Sequence, residues 1–195
     1  MSSTLQSDEA LLSIFKTAIG PNERTFVPVY EAANFIKTRG LCHFSELRNV
    51  LARLGIVVHE TKELPNSVSG LSQRVDGTPI ILVNANMSEL EREYTIAHEL
   101  GHHVLHHSKG NRTLLAEIDV EPFAVTLLLL TTNDQERLRY FDEVPAAQSA
   151  FRSLQALTCA TIVNSGLPEI MPVINCLAAL ELLEERTRET WTPEN

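Results

Sequence analysis

Apolar positions in the first part of the chain recur at helical spacing. Leu11, Leu12, Phe15 and Ile19 share one side of a helix predicted over residues 8–19, which Gly20-Pro21 stops. A second helix is predicted over 29–38, ended by Gly40, and a third from about Phe44 to Leu54, ended by Gly55. The pattern then changes. Ile56-Val57-Val58 is a short β-branched run. Residues 70–75 and the run Pro79-Ile80-Ile81-Leu82-Val83 are two more extended segments, joined by Asp76-Gly77, a strong hairpin signal. A small, mostly antiparallel sheet is therefore expected over 56–84. Ser88 with Glu91 three residues on has the form of a capping box and starts a helix that runs to about His107. Another helix spans roughly Leu114 to Leu130. Beyond it, residues 134–141, 146–163 and 168–187 show apolar spacings of three and four, as in Ile170, Val173, Ile174, Leu177 and Leu180.

The helix opened by Ser88 carries the chemistry. His98, Glu99 and His102 form the run HELGH within TIAHELGHHVLHH. Residues four apart lie on one helix face, one turn above each other, so two imidazoles at this spacing can grip one zinc ion. The Glu between them then lies beside the metal, placed to take a proton from a water there. A catalytic zinc needs a third protein ligand, and the next helix offers Glu117, Asp119 and Glu121. Two His and one carboxylate suit zinc best, with manganese or iron as alternatives. Gly101 is costly inside a helix by roughly 1 kcal/mol. Either its missing side chain lets another segment approach the His-bearing helix, or it serves packing alone.

The predicted class is α+β. A small sheet packs on the HExxH-bearing helix, with flanking helices and a helical C-terminal part. Residues 1–130 form one domain and 131–195 a C-terminal helical subdomain, which either shapes access to the site or completes the core.

Composition narrows the function. The chain has 195 residues, 44% hydrophobic and 21% charged, ordinary for a globular protein, and a net charge of −9. An acidic surface repels phosphate, and no local basic patch offsets it, so no direct nucleic-acid partner is expected. The start MSSTLQSDEA lacks the basic and apolar regions of a signal peptide, and the run FAVTLLLL is too short to span a bilayer. A cytoplasmic protein without a membrane partner is expected. Cys42, Cys159 and Cys176 lack metal-ligand spacing and read as buried reduced thiols.

From Gly55 to Leu130 the chain resembles the ImmA/IrrE family of metallopeptidases. The resemblance rests on LGIVVHE, the PIILVN strand, YTIAHELGHHVLHH, and then E-x-x-V-E-P-F-A-V-T-L-L-L. It implies His98, His102 and Glu117 as zinc ligands and Glu99 as the general base of peptide hydrolysis. Val120 stands where the family has a small Ala, and Glu121 where it has Asn or Asp; the family's Pro after Leu130 is absent. Glu121 is the alternative third ligand, or the residue that orients a ligand His. The resemblance also implies a protein substrate, such as a helix-turn-helix transcription repressor in a stress response or in mobile-element control.

A zinc-dependent endopeptidase is thus the expected function. One rival is a non-catalytic, metal-containing binding or sensor protein of a regulatory or toxin–antitoxin pair. Another is a metal hydrolase acting on a different amide. Retention of Glu99 argues against the first, because a structural metal site needs no general base. The oxyanion of peptide hydrolysis needs a donor besides the metal, and Tyr94, His103, His106 and Tyr140 are the candidates. The PIILVN strand either binds an extended substrate along its edge or is a plain core strand.

Overall fold

The computed structural model describes residues 26–105, 114–152 and 154, with side chains described at 29–105, 120–152 and 154. The helices expected over 8–19 and 168–187, residues 155–163, Cys159 and Cys176 lie outside the described residues.

Helix α1 (Phe26–Thr38) ends where Gly40 takes a φ of 94°, a conformation that only glycine adopts without strain. A 3-10 turn (Phe44–Glu46) leads into α2 (Leu47–Arg53). This helix closes in a Schellman arrangement: the Ile56 N–H bonds the Leu51 carbonyl at 2.9 Å and the Gly55 N–H bonds the Ala52 carbonyl at 3.2 Å. The expected stops at Gly40 and Gly55 therefore terminate helices, and Gly20 lies outside the described residues.

Three strands follow: β1 (Val57–Thr61), β2 (Gly70–Val75) and β3 (Thr78–Asn84). Asp76 and Gly77 take φ values of 49° and 83°, the paired positive angles of a two-residue turn whose twist suits a hairpin. Strands β2 and β3 pair antiparallel with Val75 opposite Thr78, as expected. Strand β1 pairs parallel to β3, from Val57 opposite Ile80 to Thr61 opposite Asn84. The sheet is therefore mixed, in the order β1-β3-β2. This order corrects one expectation. The PIILVN stretch is the central strand, bonded on both sides, and it offers no edge to a substrate. Pro79, which has no N–H to donate, stands just before the parallel pairing begins at Ile80.

Helix α3 (Glu89–Val104) lies on the sheet. Its capping box is complete: Ser88 Oγ accepts from the Glu91 N–H, and a Glu91 carboxylate oxygen accepts from the Ser88 N–H. Helix α4 (Leu114–Thr131) packs against both α3 and α1. Phe123, Ala124, Val125, Thr126, Leu127, Leu128 and Leu129 are all buried, so α4 is the central helix of the core rather than an amphipathic surface one. Its last carbonyls are not left bare. Thr131 and Thr132 hydroxyls donate to Leu127 and Leu128, and the Arg137 guanidinium donates to the carbonyls of Leu129 and Thr132.

Asn133 then caps α5 (Asp134–Glu143) in a second capping box with Glu136. Residues 145–152 are helical again, with Pro145 as the first helical residue, where its missing N–H costs nothing. Tyr140, Phe141, Val144, Ala147, Ala150, Phe151 and Leu154 join the same buried cluster as α1, α3 and α4. Cys42 is exposed, against the expectation of a buried thiol. No described helix is long and apolar enough to cross a membrane.

The α3–α4 contact turns on Gly101. A Cβ there would sit 2.9 Å from Val120 Cγ1 and 3.0 Å from Phe123 Cδ1. Gly101 is thus the notch into which α4 fits, which decides between the two readings of its role. Replacing it with Val overpacks the notch and forces the helices apart. Gly101→Val should lower stability by about 1–3 kcal/mol in chemical denaturation; an unchanged midpoint would show that the helices do not need this approach.

Candidate metal centre

Helix α3 is buried on most of its circumference. Ile96, Ala97, Leu100 and Val104 belong to the core, while Tyr94, Thr95, Glu99 and His102 place polar groups in buried positions on the same helix. Glu99 and His102 are each only 3% exposed; His98 is half-buried. The His98 and His102 rings meet edge to face, with centroids 5.1 Å apart and planes at 75°. The ligand atoms of His98, Glu99 and His102 all lie within 4.8 Å of one another, and the group could hold a metal ion. Two imidazoles and a carboxylate drawn together in this way are the donor types that a divalent transition metal takes. The sequence-predicted trio is brought together as its i, i+4 spacing requires.

Of the predicted third ligands, Glu117 lies on the backbone of α4, but its side chain, like that of Asp119, falls outside the described residues. Glu121, one turn further along α4, is half-buried and lines a cleft of about 340 Å³. His98, Glu99, Tyr94 and Thr95 line the same cleft. The opposite wall is Ser67, Val68, Ser69 and Gly70, which lead into β2. Ala146, beyond α5, completes the rim.

Asn84 at the end of β3 anchors that opposite wall. It is buried, and its amide nitrogen donates to the carbonyls of Pro65 and Val68 at 3.2 and 3.0 Å. Its backbone N–H bonds the Ser69 carbonyl at 2.9 Å, and its side-chain oxygen accepts from the Asn86 N–H. One buried side chain thus ties the loop before β2 to the loop before α3. Asn84 is the last residue of PIILVN, outside the motifs that point to chemistry. An Asn closing an apolar strand is the signal that could have raised it.

The sheet and α3 pack closely at Gly70. A Cβ on Gly70 would meet Thr95 Cγ2 at 2.5 Å, Glu99 Cγ at 3.0 Å and the Leu82 carbonyl oxygen at 3.0 Å. Glycine is needed here because Thr95, with Glu99 and the Leu82 carbonyl, fills the space that any side chain would take.

The candidate oxyanion donors separate clearly. His103 turns to the sheet, its Nε2 3.3 Å from the Ile80 carbonyl, and burial lowers its pKa. The Tyr140 hydroxyl donates to a Glu93 carboxylate oxygen on α3, and burial together with that bond raises its pKa. Neither lines the cleft. His106 lies outside the described residues. Tyr94 is on the cleft wall.

Residues 51–147 match the peptidase M78 family, IrrE N-terminal-like domain. The chain belongs to the ImmA/IrrE peptidase family. The match takes in β1 through α5, both walls of the cleft and the whole His98-Glu99-His102 group, and it runs past Leu130, where the resemblance read from the sequence stopped. No curated protein and no solved structure matches the chain.

Gly70→Ala tests the packing that places Glu99. It should lower stability by about 1–3 kcal/mol, since a contact of this kind cannot be absorbed without moving Thr95 or the strand. A denaturation midpoint equal to that of the parent protein would mean that the strand yields freely and does not hold Glu99.

Proposed function

We propose that this member of the ImmA/IrrE family is a zinc-dependent endopeptidase that cleaves a specific partner protein, such as a helix-turn-helix transcription repressor. The observation that carries the reading is the convergence of His98, Glu99 and His102 within the family-matched span, with His98 and Glu99 on the wall of an open cleft. His98 and His102 hold the metal, with Glu117 as third ligand and Glu121 as the alternative. When bound, zinc supplies Lewis acidity toward the scissile carbonyl and makes water acidic enough to deprotonate near neutral pH.

Glu99 is the general base. It takes a proton from the attacking water and later passes it to the leaving amine. Its side-chain methylene packs against β2 where Gly70 lacks a side chain. The cleft lies between α3 and the segment Ser67–Gly70 that opens β2. Among the described residues β2 is an edge strand, with β3 alone at its side, which supports pairing of its outer backbone groups with an extended peptide. The substrate-pairing role once expected of PIILVN thus passes to its neighbour. Ala146 on the rim supports a contribution of the C-terminal part to substrate access.

Metal analysis of the purified full chain tests the ligand set. One zinc per chain is expected in the parent protein and a sharp loss in both His98→Ala and His102→Ala. Full occupancy in both variants would rule the site out. Loss of zinc in Glu117→Ala with retention in Glu121→Ala supports the first assignment of the third ligand, and the reverse result moves it one turn along α4.

Glu99→Gln separates chemistry from metal binding. Gln keeps the size of the side chain and loses its basicity, so cleavage should fall by at least about 100-fold while zinc stays bound. Parent-like turnover by the zinc-loaded variant would exclude Glu99 as the base. A zinc-loaded parent protein that cuts none of the repressors encoded near it would favour a metal-containing binding or sensor protein instead.

A further inference from the structure

Tyr94 stands one turn before His98 on α3, so the two side chains leave the same face of the helix. The residue is only 3% exposed and lines the cleft beside His98, Glu99 and Glu121. Its hydroxyl is buried and has no hydrogen-bond partner among the described residues. A tyrosine that is core alone would serve as well, and more stably, as phenylalanine. A buried hydroxyl without an acceptor costs stability in the unliganded protein, and such groups are rare away from functional sites.

We propose that the Tyr94 hydroxyl donates a hydrogen bond to the scissile carbonyl oxygen of the bound peptide, and holds that oxygen as it gains negative charge. The inference rests on the peptidase reading. Three observations lead to it. The hydroxyl belongs to a residue of the cleft wall rather than of a remote part of the core. A tyrosine hydroxyl ordinarily keeps its proton up to about pH 10, so this buried group is available as a donor. The other described candidates are engaged elsewhere, His103 with the Ile80 carbonyl and Tyr140 with Glu93. A donor fixed in a buried site interacts most strongly with charge that develops during the reaction, because it needs no reorganisation to meet it.

The role predicts that stability and activity move in opposite directions. Tyr94→Phe removes an unsatisfied polar atom and nothing else. In the metal-loaded full chain without peptide, Tm should rise by about 2–4 °C, with zinc content unchanged. On the best-cut member of a quenched-fluorescent random decapeptide library, kcat should fall on the order of 100-fold with little change in KM. A fall in Tm would show that the hydroxyl has a structural partner and would overturn the proposal; so would an unchanged Tm. An effect confined to KM would place the hydroxyl on a carbonyl remote from the scissile bond and equally overturn it. If the zinc-loaded parent cuts no library member, that result counts against the peptidase reading alone. The Tm comparison, which needs no substrate, then still decides whether the Tyr94 hydroxyl waits for a ligand.

Discussion

The close approach of α3 and α4 at Gly101 is the contact on which the rest of the molecule depends. Helix α3 carries the two histidines and the glutamate; α4 carries the carboxylates that can complete the set. With Val120 Cγ1 and Phe123 Cδ1 already at 2.9 and 3.0 Å from where a Cβ would be, neither helix can come closer and neither can slide without opening a void. The buried run from Phe123 to Leu129 locks α4 from the other sides, against α1 among others. Helix α4 keeps its place although Pro122 leaves its own backbone one donor short, because burial on every side outweighs the lost bond. A metal site built on two such helices inherits the rigidity of the core, which is what a catalytic constellation requires.

The opposite wall is held by polar rather than apolar contacts. Asn84 reaches from the end of the central strand to the carbonyls of Pro65 and Val68, and Gly70 lets β2 lie directly on Thr95 and Glu99. The cleft is therefore bounded by one wall fixed through packing and one fixed through a buried amide. The two meet at Glu99, whose Cγ touches the place where Gly70 lacks a side chain.

Local signals were legible in the chain; pairing partners were not. The Ser88–Glu91 box, the Asp76-Gly77 turn and the Gly40 and Gly55 stops are each set by a few neighbouring residues, and each stands where the sequence puts it. The i, i+4 histidines converge because helix geometry alone brings them together. Strand order is a different matter. Nothing local in PIILVN says that β1 returns to pair parallel on its far side, since that depends on the path of residues 62–69 and on Asn84 pinning it. Burial at single positions was hidden for the same reason: Cys42 follows the buried Leu41 and points outward. The Asn133-x-x-Glu136 box has the same form as the Ser88 box and is as readable in the sequence.

Two of the departures from the family pattern, at Val120 and Glu121, are adjacent, and they act in one direction. Where the family has a small Ala, Val120 presents its methyl groups to the Gly101 notch and fills it. A bulkier residue at that contact sets the two helices further apart than Ala would. Where the family has Asn or Asp, Glu121 adds a methylene of reach, and its side chain lines the cleft with His98, Glu99 and Tyr94. A longer carboxylate spans a wider gap to the same histidine-bearing helix. The pair reads as one adjustment, extra bulk at the helix contact matched by extra length at the cleft. It keeps an acidic side chain of α4 on the cleft that His98 and Glu99 also line, with a longer side chain to deliver it.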